Sequence, residues 1–437
     1  DKGYKQILSL LKQNDDVQSE IIFIYEVRAF LGSQNYPLAL SKIQKANYSS
    51  EAFIELQLEV WLANRKFTTI IKEVTKHLRK SLSDETRLLY YLSLGDAHFN
   101  LEDFGNSKNQ FFKALNLTDD PLRKSLIQYN IALITYYTKD YPSFLRETEI
   151  ILSNSYLTPE IRYNLIQLKV DYYRNINQPE KVDDELRAYV ENYSFQRAKA
   201  KLKRLQLLLF FRNYQKCHEL AQNADPTENK FQVKDRHILI GHCGVKSNQT
   251  ESAISALTKA LKQKPKNYRI DEINLLLGEG YFQKGDYKSS LWLSSKLKSR
   301  NLNKEITNRN TMLLVDSTIH LKRHDDAKKE LGGLSQYRET PYYSTALKLS
   351  AEISASNDDT DSSARSLLRV YYKTDTSVAD KAKVLLRISE MYLHDSNESE
   401  AKRFFTKIDT KDISSSPSLN KRYQALSSKL KEKSPEI

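Results

Sequence analysis

The chain has 437 residues, 40% of them apolar, and a formal net charge of +13 from 68 Lys and Arg against 55 Asp and Glu. Only 11 Gly and 10 Pro punctuate it, which leaves too little turn chemistry for a strand-rich fold and nearly excludes Gly-rich phosphate loops. Two Cys cannot form a disulfide framework, and no run of about 18 apolar residues is present to span a membrane as a helix.

In chain order, Tyr4 to Leu11 is predicted to cap the N-terminal end. From there the chain reads as pairs of amphipathic helices with apolar residues at i, i+3, i+4 and i+7. Ile254, Leu257 and Leu261 form one such stripe, and Ile273, Leu276, Leu277 and Tyr281 the next. Helix starts are marked at Ser83-Asp84-Glu85 and at Thr158-Pro159-Glu160, where a capping hydroxyl is followed by Pro at the first helical position. Asn248 and Gly285-Asp286 mark turns inside pairs. The acidic stretch Ser354 to Ser363 is expected to be a longer, mobile turn. Residues 1–413 are expected to form one helical solenoid, and 414–437 a Lys-rich capping helix (Leu419 to Leu430) with a basic tail.

A fingerprint recurs through this pattern. Leu94-Gly95, His98, Phe104, Ser107, Phe111 and Ala114 match Ile240-Gly241, Ala253, Leu257, Ala260 and Pro265, and both match Leu277-Gly278, Tyr281, Gly285, Tyr287 and Ser290. Walking outward from the Gly places equivalents at Val27, Leu58, Gly95, Ala132, Lys169, Leu205, Gly241, Gly278, Val315, Glu352 and Ser389. After a first step of 31 residues, every step is 36 or 37. Unrelated helices do not keep such a register, so one helical hairpin is repeated about eleven times. The unit resembles the tetratricopeptide repeat: large residues early, Leu-Gly in the first helix, Ala and an aromatic in the second, Pro near the end. The resemblance implies an all-α, right-handed superhelical solenoid, with the first helix of each pair lining a concave groove.

Chemistry has few footholds. No Gly-x-Ser-x-Gly elbow and no His-Glu-x-x-His occurs, and the eight His are scattered, so no catalytic residue and no cofactor are expected. Cys217-His218 and His237, His242, Cys243 lie on helices that should be neighbours. Their spacing matches no standard zinc pattern, so no metal is expected. Buried thiols are the preferred reading of the two Cys, with a disulfide as the alternative. Asn-x-Ser/Thr sequons begin at Asn47, Asn116, Asn192, Asn248 and Asn397, matches that a Ser-rich polar chain produces by chance.

The expected function is therefore a non-catalytic protein–protein interaction scaffold, part of a multi-protein assembly. In the resemblance, residues three before, one after and four after the Gly position face the groove. Three before, the series is apolar (Ile24, Leu92, Tyr129, Ile166, Leu202, Ile238, Leu275, Met312, Leu349, Leu386), broken by Glu55. This apolar series departs from the Lys and Asn that clamp carboxylates in chaperone-binding members of the family. The expected partner is instead an apolar or aromatic-bearing helix or extended segment of another protein. Its predicted contacts are Phe99, Tyr129, Leu133, Tyr136, Tyr163, Ile166, Val170 and Tyr173. A competing reading makes these residues internal packing. Two alternative functions stand beside this one. Nucleic acid could be bound through the basic clusters Lys199 to Arg204, Lys259 to Arg269 and Lys421 to Lys433, although the apolar series argues against it. The other is a periplasmic or cell-envelope assembly factor. The chain opens on Asp1 without an initiator Met, which fits a trimmed chain in the cytoplasm or a mature envelope form tethered upstream.

Overall fold

The computed structural model describes residues 20–79, 82–263, 265, 267–373, 376–413 and 416–432. Among these are 24 α-helices, a short 3-10 turn at Leu334–Tyr337, and no strand. The chain divides into two compact units, Asp1–Arg197 and Ala198–Ile437. The N-terminal unit holds five hairpins: α1 (Glu20–Gly32) with α2 (Tyr36–Lys45), α3 (Glu51–Ala63) with α4 (Phe67–His77), α5 (Asp84–Asn100) with α6 (Phe104–Leu115), α7 (Pro121–Tyr137) with α8 (Tyr141–Leu152), and α9 (Pro159–Asn175) with α10 (Pro179–Asn192). The C-terminal unit begins in the first turn of α11 (Arg197–Phe210), which pairs with α12 (Tyr214–Gln222). There follow α13 (Lys230–Lys246) with α14 (Thr250–Lys262), α15 (Asn267–Gln283) with α16 (Tyr287–Lys298), α17 (Lys304–His320) with α18 (His324–Leu331), α19 (Tyr343–Ser356) with α20 (Thr360–Tyr371), and α21 (Val378–His394) with α22 (Glu398–Phe405). A short α23 (Thr410–Ile413) leads to α24 (Pro417–Glu432). Its Leu419, Leu426 and Leu430 are buried in one cluster with Ile388 and Phe404. The predicted N-terminal cap at Tyr4 to Leu11 lies outside the described residues.

One turn closes the first helix of every pair. Gln34, Arg65, Glu102, Lys139, Asn177, Arg212, Asn248, Gly285, Lys322, Asp358 and Ser396 all adopt left-handed backbone, with φ from 55 to 83°. The amide after each reaches back five residues, as from Asp103 N to His98 O and from Asp140 N to Thr135 O, both 2.9 Å. This satisfies a helix-end carbonyl that would otherwise be orphaned and reverses the chain within three residues. Only one of the eleven is Gly. A Lys or Arg in this conformation crowds its Cβ against the carbonyl, at about 1–2 kcal/mol. Lys139→Gly and Arg212→Gly are both exposed changes. Each is expected to raise stability by a few tenths to about 1 kcal/mol, seen as a higher urea midpoint at unchanged slope.

The turns fix the register of the repeats. Seven residues before each left-handed residue stands a buried one: Val27, Leu58, Gly95, Ala132, Val170, Leu205, Gly241, Gly278, Val315, Ala351 and Ser389. This corrects the sequence alignment at two places. Val170 replaces Lys169 because the fourth interval between turns is one residue longer than even spacing assumes and the fifth one shorter, and Ala351 replaces Glu352 because the ninth is one residue shorter and the tenth one longer. The Ser354 to Ser363 stretch is also corrected. It is an ordinary turn of three residues between α19 and α20, where Asp359 caps α20 by accepting from Ser362 N at 3.0 Å.

Each register residue packs on the residues 12 and 16 further on, which lie on the second helix of its pair. Ser107 Oγ donates to Gly95 O at 2.8 Å and Ser363 Oγ to Ala351 O at 2.7 Å, both inside the core. Volume is traded among the three positions. Gly95 meets Ser107 and Phe111, Ala132 meets Phe144 and Thr148, and Leu205 meets Cys217 and Ala221, all at most 1% exposed apart from the glycine, which is also buried. One large residue fits if the others are small.

Candidate functional site

On a helix with 3.6 residues per turn, the residue after the register position points about 100° away from it, and those four after and three before lie about 40–60° away. Burial follows that geometry. The register residues are buried in all eleven pairs, whereas the next residue is partly or fully exposed in all eleven: Arg28, Glu59, Asp96, Leu133, Asp171, Gln206, His242, Glu279, Asp316, Glu352 and Glu390. The row three before is mostly internal: Ile238, Leu275, Met312 and Leu386 are all 6% exposed or less. Much of the apolar series read from the sequence therefore packs helix against helix.

The predicted contact residues separate into two groups. Phe99 on α5 and Tyr129, Leu133 and Tyr136 on α7 are partly exposed on the first-helix face of the N-terminal unit. Phe99 sits edge-on to Tyr137 at 5.6 Å, and Tyr136 edge-on to Phe144 at 5.2 Å. Burial pushes the Tyr129 hydroxyl's pKa up, with Asn164 opposing. The four residues on α9 lie inside the packing. Tyr163, Ile166 and Tyr173 are 8% exposed or less, and Val170 is fully buried, being itself the register residue. Tyr163 packs on Tyr189 at 5.5 Å. A register set at Lys169 is one residue off on α9, and that selects side chains of its inner face. Asp171 and Arg174 are the true equivalents, and their ion pair is long, at 3.8 Å.

The exposed row is acidic. Burial raises the Glu59 carboxyl, with Arg28 opposing and Glu55 adding to the effect. Arg28 is itself engaged by Glu55 at 3.5 Å. Burial pushes Asp96 up to about 6, and no cation offsets it. In the C-terminal unit, burial would raise Glu279, but the Arg309 guanidinium (2.6 Å) and Lys246 (3.5 Å) outweigh it and hold the carboxyl below its usual range. Asp316 is pushed up to about 6 by burial, with His320 opposing and Glu352 adding to it. His242 is driven down to about 4 by burial and by its neighbours Arg309 and Lys246.

Among known families, the model described as "Tetratricopeptide repeat" matches residues 235–267, which are the α13–α14 hairpin. The same turn recurs in the other ten pairs and the same buried triad in nine of them, with Phe405 partly exposed in the last. The chain is a tetratricopeptide-like repeat protein. No curated protein matches it in sequence. Among solved structures it is similar to the Cut9–Hcn1 hetero-tetramer of the APC/C, at 13% identity and a TM-score of 0.40, covering 98% of this chain and 89% of that one. It is similar to a STAND-family signal-transduction ATPase with a tetratricopeptide sensor from Pyrococcus horikoshii, at 13% identity and 0.46, covering 98% and 74%. The apo form of RapI matches at 11% and 0.37, covering 94% and 98%.

The tetratricopeptide-like protein is a repeat scaffold of the kind typical of protein–protein interaction and complex assembly. Among its described residues no helix is long and apolar enough to cross a membrane, and no three His, Cys, Asp or Glu side chains converge as a metal site. His218 is committed to the fold: its Nδ1 meets Ile240 O at 3.2 Å and its Nε2 meets Gln222 at 3.1 Å. The preferred reading of the cysteines is corrected. Cys217 on α12 and Cys243 on α13 form a disulfide, with Cα atoms 6.0 Å apart and both residues fully buried. The second helix of one pair packs along the first helix of the next, which brings the Cα atoms within the roughly 4.4–6.8 Å that a disulfide spans. Sequence spacing carries no trace of that approach.

Proposed function

We propose that the protein is a non-catalytic scaffold that seats a segment of another protein on the first-helix face of its N-terminal unit, against Phe99, Tyr129, Leu133 and Tyr136. The observation that carries this reading is the partial exposure of aromatic and apolar side chains on two consecutive first helices, α5 and α7. Aromatic rings give a partner large contact area at small entropic cost. A Phe99→Ala/Tyr136→Ala variant is expected to lose about tenfold or more in affinity for a protein captured by the wild type, with unchanged helical circular dichroism. Equal affinity of variant and wild type removes this face as the site.

A second reading is favoured by the disulfide: an assembly factor working in an oxidising compartment such as the cell envelope, since disulfides persist there and are rare in reducing cytosol. Nucleic-acid binding is disfavoured, because the exposed row of the first helices is acidic and repels phosphate.

A further inference from the structure

The acidic row is more than the composition supplies. Seven of its eleven positions are Glu59, Asp96, Asp171, Glu279, Asp316, Glu352 and Glu390, where an even spread of 55 acids over 437 residues would place about one or two. The protein as a whole carries +13, so the row runs against the charge of the rest of the surface. Some of these acids are satisfied from within. Glu279 is held by Arg309, and Glu390 accepts from Arg422 at 2.7 and 3.2 Å.

Asp96 is different. It stands one residue after Gly95, whose tight approach to Phe111 fixes that turn of α5 and turns Asp96 onto the exposed face. Among the described residues its carboxylate has no hydrogen-bond or ion-pair partner, and burial alone acts on it. Glu59 occupies the same place on the preceding first helix, and the cation that acts on it, Arg28, is shared with Glu55. The partly exposed side chains on the same face are apolar or aromatic: Leu92 and Phe99 on α5, Tyr129 and Leu133 on α7. A desolvated, unpaired carboxylate weakens the free fold, and a cation brought by a ligand removes that cost. Lys and Arg suit the surroundings as well, since their stems cover apolar surface and their charged heads are attracted to ring faces.

We propose that the partner segment is basic: a polypeptide stretch that lays an apolar edge along Leu92, Phe99, Tyr129 and Leu133 and places a Lys or Arg on Asp96, with a second cation reaching Glu59. This deepens the groove reading above and rests on it. An acidic segment would meet Asp96, on which no cation acts, and Glu59, whose cation Arg28 is shared with Glu55.

The test uses two fluorescent peptides of roughly 16 residues on one Leu/Ala framework, with either Lys or Glu at every polar position. The Lys peptide is expected to bind the full chain about tenfold or more tighter than the Glu peptide, against the pull of the protein's net charge. Asp96→Asn should cut that preference about fivefold without lowering the melting temperature, and Asp96 followed by NMR should titrate at lower pH once the Lys peptide is bound. Preference for the Glu peptide, equal binding, no binding of the Lys peptide, or an Asp96 titration that the Lys peptide leaves unmoved overturns the proposal. Phe99→Ala/Tyr136→Ala separates the two levels. If it weakens both peptides alike while the protein ignores their charge, the groove stands and the basic partner falls. If it weakens neither, the groove reading itself falls.

Discussion

Reducing the disulfide between Cys217 and Cys243 is expected to cost the C-terminal unit about 3–4 kcal/mol, the loop-closure value for two residues some 26 apart. The bond ties α12 to α13, the second helix of one hairpin to the first helix of the next, within a cluster that includes Leu205, Leu208, Leu239 and Ile240. In a repeat array each hairpin is held chiefly by its neighbours, so a covalent tie between two hairpins stabilises an interface that otherwise rests on packing alone. Both sulfur-bearing residues are fully buried, so reductant acts through opened states and the effect belongs in equilibrium unfolding. Urea curves with and without dithiothreitol should differ in midpoint for the wild type and coincide for Cys217→Ala/Cys243→Ala. The native chain unfolded without reductant should yield no free thiol. Two titratable thiols and superimposable curves would sink the disulfide, and with it the case for an oxidising compartment.

The repeat was readable in the sequence because its signals are local. Gly95, Gly241 and Gly278 announce themselves, and spacing carries the pattern through units that have no Gly. Spacing carries it only to within one residue, however. A long interval followed by a short one moves the alignment onto Lys169, a short interval followed by a long one moves it onto Glu352, and on a helix a slip of one residue is about 100°. That slip put Val170 in the list of partner contacts, although it is the residue that faces its own second helix, and it hid the acidic row by placing Asp171 and Glu352 elsewhere. Left-handed turn residues would have fixed the register had they been Gly or Asn throughout. Most are Gln, Arg, Glu, Lys or Ser, residues that give no such signal. The disulfide was hidden for another reason: it depends on how closely α12 and α13 approach, which no periodicity encodes.

Phe111→Ala is expected to destabilise the protein by about 3–5 kcal/mol, the range for deleting a buried Phe ring. Phe111 is 1% exposed, and its ring fills the space that Gly95 leaves open. A Cβ added at Gly95 would lie 2.7 Å from that ring, closer than any contact between carbons allows, so Gly95→Ala should cost about 1–3 kcal/mol by overpacking. The two changes are not independent. In the next hairpin the small residue is Ala132, the large one has moved to Phe144, and Thr148 stands where Phe111 does; in the one after, Val170 meets Val182 and Leu186. The chain therefore already contains the same joint with its volume distributed in different ways. Gly95→Ala combined with Phe111→Leu should recover much of what Gly95→Ala alone loses, a favourable coupling of about 1 kcal/mol or more in a double-mutant cycle read by urea unfolding. Strict additivity would mean that the Gly is required for the backbone of α5 rather than for the ring packed against it. That outcome would break the account of why eight of the eleven repeats fold without a Gly at this position.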